Sequence, residues 1–241
     1  MIYLDRVVLR ILARKPFEPI ESCEMKWLTY KTAFLVLLGS GCRRSELHAL
    51  DNSLLEHAVD WSWVDLQTLP EFWAKHQATD PDPSQGRVYH LKALDSTVDR
   101  RELRVCPVRA LREYRKRTKS LRGSIKRLFL PLTTNKANLH ANTVSGWVKS
   151  LVQYSYEHAT DEDFRILGIE KAPPNLHRPA HEVRAWSASV AWLAGTTSIR
   201  SLMRGCHWKT HNVFTDHYLR DVSVKTVSGL QIASRFLPGS A

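Results

Sequence analysis

The stretch Leu28-Thr29-Tyr30-Lys31-Thr32-Ala33-Phe34-Leu35-Val36-Leu37-Leu38-Gly39-Ser40-Gly41 is rich in apolar residues and ends in Gly-Ser-Gly. With Trp27 before it, its apolar residues form a broad stripe at helical spacing, which predicts a central core helix. Ser22 is a suitable N-cap for this helix, and the two glycines are expected to end it.

The next segment, Arg43-Arg44-Ser45-Glu46-Leu47, carries three charges at the end of the core helix. A side chain on a turn between two core helices is held rigidly and faces a cleft. Arg43 and Glu46 are three residues apart and share a helical face. Two interpretations remain open here: a functional arginine at a cleft, or a surface ion pair that adds little stability.

Composition places the chain among globular, intracellular proteins. Apolar residues make up 43% of its 241 residues and charged residues 24%, which is typical of a folded domain. No run of about 18 apolar residues occurs, so no membrane span is expected, and the first residues do not resemble a signal peptide. The four cysteines are widely spaced, which favours reduced thiols over disulfides.

Positive charge is concentrated in one part of the chain. The net charge is +11, and between Arg100 and Arg127 twelve Lys and Arg residues oppose two Glu residues. A concentrated basic surface is typical of a nucleic-acid binder, and phosphate contacts would position such a protein without reading sequence. The alternative is a solvated helix face.

Hydrophobic periodicity predicts several more helices and a few short strands. The helices are expected at 4–12, from Pro107, from Asn142 or Thr143, from Ala180 to Gly195, and around 199–203. Strands are expected at 59–66, 72–75, 88–92, 103–106 and 128–130, and an irregular connection at 159–176. The pattern predicts an α+β fold that is mainly α.

A second polar cluster follows the last helix: Gly205-Cys206-His207-Trp208-Lys209-Thr210-His211-Asn212-Val213-Phe214-Thr215-Asp216-His217-Tyr218. Its side chains suit a metal site, a basic surface or an active site. Structural zinc sites normally use two pairs of closely spaced ligands, and no second pair is evident, which disfavours metal.

Two arginines, a histidine, a tryptophan and a tyrosine on a basic scaffold indicate phosphate chemistry. Arg43 and Arg184 each offer a planar fork that binds two phosphate oxygens and stays charged. Two such forks would neutralise the charge of a pentavalent phosphorane. Tyr218 could act as a nucleophile and conserve the bond energy in a covalent link, so neither ATP nor a metal is required.

The order of these residues resembles the tyrosine recombinase (phage integrase-like) family. Gly41-Cys42-Arg43-Arg44-Ser45-Glu46-Leu47 is similar to its first-arginine box, in which the spacing to Glu46 selects Arg43. Ala180-His181-Glu182-Val183-Arg184 is similar to its His-x-x-Arg box. Trp208 corresponds to a His or Trp that hydrogen-bonds the scissile phosphate, with His207 as the neighbouring alternative. Tyr218, ten residues later, corresponds to the nucleophile.

The closer resemblance is to the branch carried by DIRS-like retrotransposons and Cryptons, over roughly residues 7–223. Lys15-Pro16-Phe17-Glu18-Pro19-Ile20 and Cys106-Pro107-Val108-Arg109-Ala110-Leu111 are similar to segments of that branch. The family also uses a lysine at a β-hairpin that protonates the leaving 5′ oxygen. Lys75 resembles the position used in this branch, and Lys92 is the competitor.

The resemblance implies a helical core with a small antiparallel sheet or hairpin. It also implies a remnant or linker at 1–20 in place of a DNA-clamping domain, a catalytic domain at 21–223 and a tail at 224–241. The implied function is site-specific DNA cleavage and rejoining through a 3′-phosphotyrosyl intermediate, without a cofactor, by a mobile-element integrase. The implied partners are double-stranded DNA and further copies of the chain, as a tetramer on paired sites in the nucleus. The alternative is an inactive, transposon-derived DNA-binding protein.

Overall fold

The apolar stretch that precedes Gly41 forms helix α2 (Met25–Ser40), which lies in the core of the described part of the chain. In the computed structural model, residues 4–74, 86–94, 100–133, 139–168, 171, 179–193, 198–208 and 215 are described. Every residue of α2 from Lys31 to Ser40 is buried. A helix that is apolar on all sides is expected to be enclosed, and α2 contacts four later helices and one strand.

The described residues form nine α-helices and three strands. The helices are α1 (Leu4–Leu12), α2 (Met25–Ser40), α3 (Arg44–Ala49), α4 (Arg100–Leu103), α5 (Pro107–Thr118), α6 (Ala141–His158), α7 (Asp161–Leu167), α8 (Pro179–Leu193) and α9 (Ile199–Gly205). The strands are β1 (Leu50–His57), β2 (Trp63–Thr68) and β3 (Val88–Lys92). The fold is therefore α+β and mainly α, as predicted.

The three strands form one antiparallel sheet in the order β1-β2-β3. Leu50 pairs with Thr68, and Gln67 pairs with Val88, so these residues mark one end of the sheet. Because α3 runs directly into β1, this end lies beside α3, and it is called the α3 end below. Trp63 pairs with Lys92 at the opposite end. The register of β1 and β2 shifts between Asp51 and Glu56, which indicates a β-bulge.

Several predicted boundaries were wrong. Residues 58–62, expected to begin a strand, form the turn between β1 and β2, whereas β1 was not predicted as a strand. Residues 72–74, 103–106 and 128–130 lie outside the strands, although Leu128 donates its N–H to the Leu50 carbonyl beside β1. The connection at 159–176 contains α7, which Thr160 caps through the Asp163 N–H. The N-cap of α2 is Glu24 and not the predicted Ser22. Helix α6 begins at Ala141 with His140 as its N-cap, before the predicted Asn142 or Thr143.

A buried ion cluster joins the segment after α1 to α2 and α5. The Lys31 ammonium is fully buried and donates to the Glu18 carboxylate at 2.5 Å and to the Leu12 carbonyl at 2.9 Å. Arg109 binds both Glu18 oxygens, at 2.8 and 3.1 Å. Burial lowers the pKa of Lys31 to about 8 although the Glu18 charge opposes this. The apolar residues of α1 lie in the same core as α2, so residues 7–12 are part of the folded unit.

Many arginines of the basic run at 100–127 bind the protein itself. Arg117 donates to the Ile20 and Cys23 carbonyls, and Arg122, which is 8% exposed, donates to the Arg127 and Leu128 carbonyls. Arg109 is held by Glu18, as described above. Arg112 and Lys116 of α5 are exposed. The sequence run therefore overstates the basic surface that α5 offers to a partner.

Within the described part of the chain, the helices are too short or too polar to cross a membrane.

Candidate active site

Arg43 lies at the junction of α2 and α3, where its backbone caps the next helix. Its extended backbone (φ −80°, ψ 157°) makes it the N-cap of α3, and its N–H donates to the Glu46 carboxylate at 2.6 Å. The Arg43 guanidinium donates to the other Glu46 oxygen at 2.8 Å, with a fifth of the side chain exposed. Glu46 thus fixes Arg43 through both its backbone and its side chain. The neighbouring Arg44 is exposed and donates to Asn142 at 3.1 Å.

The Glu46 carboxylate is buried among three arginines. Arg87 donates to the same oxygen as Arg43, also at 2.8 Å, and Arg184 approaches the second oxygen at 3.9 Å. Glu46 is 1% exposed, so its pair with Arg43 is not the surface ion pair considered from the sequence. Arg43 and Arg184, which are 141 positions apart in the numbering, are therefore brought to one carboxylate.

The charges around Glu46 keep it ionised. Burial acts to raise its pKa, but the Arg184 and Arg43 charges and the Arg43 N–H lower it to about 2. One ionised carboxylate then faces three guanidinium groups. Guanidinium groups gathered in one place suit an anion such as a phosphate diester.

Arg184 is buried, and its guanidinium joins three segments of the chain. It lies on α8 and is 1% exposed. One terminal nitrogen donates to the Gly41 carbonyl at the end of α2, and the other donates to the Cys206 carbonyl after α9 at 2.6 Å. The guanidinium carbon lies 5.1 Å from the centre of the Trp208 ring, within range of a cation–π interaction. Arg184 therefore links the first-arginine segment to the segment that precedes Tyr218.

Gly41 makes this junction sterically possible. Its backbone is in the left-handed region (φ 58°), which ends α2 and which residues with a Cβ rarely adopt. A Cβ added there would lie 3.1 Å from the Cys206 sulfur, so the two segments approach closely. The glycine predicted only to end a helix also allows Arg184 to reach both carbonyls.

His181 and His207 occupy different positions around Arg184. His181 is partly exposed on α8, three residues before Arg184 and therefore on the same helix face. His207 has a left-handed backbone (φ 50°), and its ring packs edge-on against the buried Tyr89 ring at 5.4 Å. Trp208, 6% exposed, contacts Arg184. Trp208 is thus in contact with the arginine cluster, and His207 packs on Tyr89.

The two candidate lysines differ in their relation to the sheet. Lys75 lies outside the described residues, but the connection that contains it begins after Thr68 and ends at Arg87. These two residues exchange backbone and side-chain hydrogen bonds at 3.0 Å at the α3 end, beside Glu46. Lys92 is five residues beyond Arg87 along β3, on the order of 16 Å away. Lys75 therefore stays a prediction, with Lys92 as its alternative.

Tyr218 also lies outside the described residues, as do Lys209 and His211. The described residues contain no cluster of three or more His, Cys, Asp or Glu that would suit a metal ion. The cations and the indole that the structure places together are Arg43, Arg87, Arg184 and Trp208. They suit the binding of an anion.

Sequence reasoning missed Arg87. It is 3% exposed and precedes β3, and its carboxylate partner is 41 residues away in the sequence. A buried arginine requires such a counter-charge, but nothing in the residues around Gly86-Arg87 shows that the side chain is buried or where the partner lies.

We predict that Glu46 makes folding sensitive to acid. Its pKa is about 2 in the folded protein against 4.5 for an ordinary glutamate, so between these pH values the unfolded chain binds the extra proton. The stabilisation is therefore complete above about pH 5 and is lost as pH falls toward 2, by about 3 kcal/mol. Urea unfolding of the wild type and of Glu46→Gln at pH 7 and pH 3 measures it. Other carboxylates lower the free energy of unfolding of both proteins in acid, so the wild type should lose more than Glu46→Gln. Equal losses in the two proteins would contradict the prediction.

Comparison of the chain with protein-family models, with curated proteins and with solved structures found no significant match.

Proposed function

We propose that this protein cleaves and rejoins DNA as a tyrosine recombinase. Tyr218 attacks the scissile phosphate and forms a 3′-phosphotyrosyl link. Arg43, Arg184, His181 and Trp208 stabilise the phosphate, and Lys75 protonates the leaving 5′ oxygen. The proposal includes double-stranded DNA as substrate, assembly as a tetramer on paired sites, a nuclear location and an origin in a mobile element.

One observation carries the proposal: Arg43, Arg184 and Trp208, chosen from three separate segments, lie in one contact network. Arg43 and Arg184 share Glu46, and Arg184 contacts Trp208. Three residues picked for a common ligand have little reason to meet if each serves an unrelated structural role. Guanidinium groups gathered in one place are also what a dianionic phosphorane requires.

The chemistry follows from where each group lies. Phosphoryl transfer in such a site depends on positioning and charge neutralisation. Arg43 is the more exposed arginine, so it would contact a phosphate oxygen directly. Arg184 is more deeply buried than Arg43 and binds the segment that contains Trp208. Its charge adds to the positive potential that Arg43 presents to the phosphate. The bond energy of the phosphodiester is retained in the tyrosyl ester, so rejoining needs no energy source.

A second candidate is a DNA-binding protein without cleavage activity. The burial of Arg184 favours this second candidate, because both terminal guanidinium nitrogens already donate to backbone carbonyls. A binding protein would need the basic surface but not the nucleophile. The two functions therefore differ in whether a covalent link to DNA forms.

Covalent trapping distinguishes the two candidates. The substrate is a pool of nicked DNA duplexes whose sequence around the nick is randomised. Cleavage near the nick produces a short 5′-hydroxyl fragment, which dissociates from the duplex. We expect a protein–DNA adduct that survives denaturation and forms equally in excess chelator. Binding without an adduct supports the second candidate. An adduct that chelator abolishes and zinc restores contradicts the metal-independent mechanism.

We further predict that DNA affinity falls steeply as salt rises. Each cation that contacts a phosphate releases counterions and adds about one to the slope of log affinity against log salt. Arg112→Gln and Lys116→Gln, at exposed positions of α5, should each reduce the slope if α5 faces DNA. Fluorescence anisotropy at several salt concentrations measures this. A slope near zero for the wild type would contradict binding through a basic surface.

A further inference from the structure

The α3 end of the sheet contains a buried arginine that the proposed mechanism does not use. Arg87 lies at the first residue before β3, and 3% of it is exposed. A charged side chain is costly to bury unless it is paired, so its position reflects a specific partner. That partner is Glu46, whose carboxylate oxygen accepts from Arg87 at 2.8 Å.

The same Glu46 oxygen also accepts from Arg43, at 2.8 Å. The orientation of the carboxylate is therefore set from two sides: by Arg87 on the sheet and by the α3 segment that contains Arg43. If Arg87 were lost, one face of the carboxylate would lose its hydrogen-bond donor. Glu46 would then be held by Arg43 and Arg184 alone, so the Arg43 side chain would be placed less firmly.

Arg87 also closes the connection between β2 and β3. Its N–H donates to the Thr68 hydroxyl, and its carbonyl accepts from the Thr68 N–H, both at 3.0 Å. This connection contains Lys75. Arg87 thus bonds Thr68 through its backbone and, through its side chain, bonds the carboxylate that orients the first arginine.

We infer that Arg87 is a positioning residue, which holds Arg43 in place by clamping Glu46. The inference rests on the proposed function, because it assigns Arg87 a role in the same reaction. Arg87 touches Glu46 and not the reacting atoms. A misplacement of about 1 Å in a phosphoryl-transfer site can cost on the order of 10²-fold in rate, which is the size of effect expected from losing the clamp.

The test compares Arg87→Gln and Arg87→Lys with Arg122→Gln. Arg122 is also buried, but its guanidinium bonds the Thr118 hydroxyl and the Arg127 and Leu128 carbonyls instead of Glu46. Single-turnover adduct formation at saturating DNA is measured on the randomised nicked duplexes, together with DNA affinity. We expect Arg87→Gln to slow adduct formation about 10- to 100-fold while affinity changes less than about threefold. Arg87→Lys should recover part of the rate, because it restores a cation beside Glu46.

Arg122→Gln should lower thermal stability without slowing adduct formation by the folded protein. Equal slowing in Arg87→Gln and Arg122→Gln, or no recovery in Arg87→Lys, would overturn the positioning role.

A second measurement does not depend on catalysis: the shifts in urea midpoint caused by Arg87→Gln and Glu46→Gln should not add in the double variant. If the two shifts add, the contact between Arg87 and Glu46 does not act as a clamp. An inactive wild type with non-additive shifts would contradict the proposed function and leave the clamp as a structural feature only.

Discussion

Tyr218→Phe is expected to abolish the covalent adduct with nicked DNA while DNA affinity stays within about twofold of the wild type. The substitution removes only the hydroxyl oxygen, which is the atom proposed to attack phosphorus. Without a nucleophile on the protein no phosphotyrosyl ester can form, whatever the arginines contribute. Denaturing gel electrophoresis of the trapped complex measures the adduct, and anisotropy measures binding.

A matched control is Tyr89→Phe. Tyr89 is a buried tyrosine beside Glu46 and His207, so the same atom is removed from a tyrosine next to the arginine cluster. We expect its adduct to persist. An adduct in the Tyr218→Phe protein would show that another residue is the nucleophile.

Arg43→Ala is expected to slow adduct formation by about 10²- to 10³-fold. The loss corresponds to the removal of one preorganised group that stabilises developing charge in a transition state. The protein should remain folded, because the side chain is partly exposed and Arg87 and Arg184 still neutralise Glu46. Single-turnover trapping at saturating DNA measures the rate, and circular dichroism monitors folding.

Arg44→Ala is the neighbouring control for that experiment. Arg44 carries the same charge one residue along, but it is exposed and bonds Asn142 rather than Glu46. We expect less than about a fivefold effect on rate, because an exposed cation contributes little beyond general attraction to DNA. A larger loss in Arg44→Ala than in Arg43→Ala would contradict the assignment of the first arginine.

Helical periodicity was enough to predict most of the fold. The apolar spacing in α2, α5, α6 and α8 identified each helix, because long helices repeat the signal over several turns. β1 was missed since its residues, Leu-Asp-Asn-Ser-Leu-Leu-Glu-His, do not alternate between apolar and polar. The bulge in its pairing with β2 is consistent with this irregular pattern. α7 was missed because it is seven residues long and mostly charged.

The candidate site could be predicted only in part. Arg43 and Glu46 lie within one helical turn, so their contact follows from spacing. The burial of Glu46 and the approach of Arg87 and Arg184 could not be derived in the same way, since those partners come from distant segments. The resemblance proposed Arg43, Arg184 and Trp208 as a set, but it did not predict that Arg184 would be enclosed by the Gly41 and Cys206 carbonyls.

The basic run illustrates a limit of charge counting. Composition cannot distinguish an arginine that faces solvent from one that bonds a carbonyl of its own chain. Arg117 and Arg122 do the latter, and Arg109 neutralises Glu18. The partner of each is at a position that sequence spacing does not reveal, so the run indicated a larger exposed surface than α5 provides.

The most direct test of the central claim is to identify the residue that becomes linked to DNA. The trapped wild-type adduct is digested with a protease and a nuclease, and the nucleotide-bearing peptide is sequenced by mass spectrometry. We predict a peptide in which a 3′-nucleotide is attached through phosphate to Tyr218. A nucleotide on any other residue, or the absence of a covalent peptide from a protein that binds the same DNA, would contradict the account.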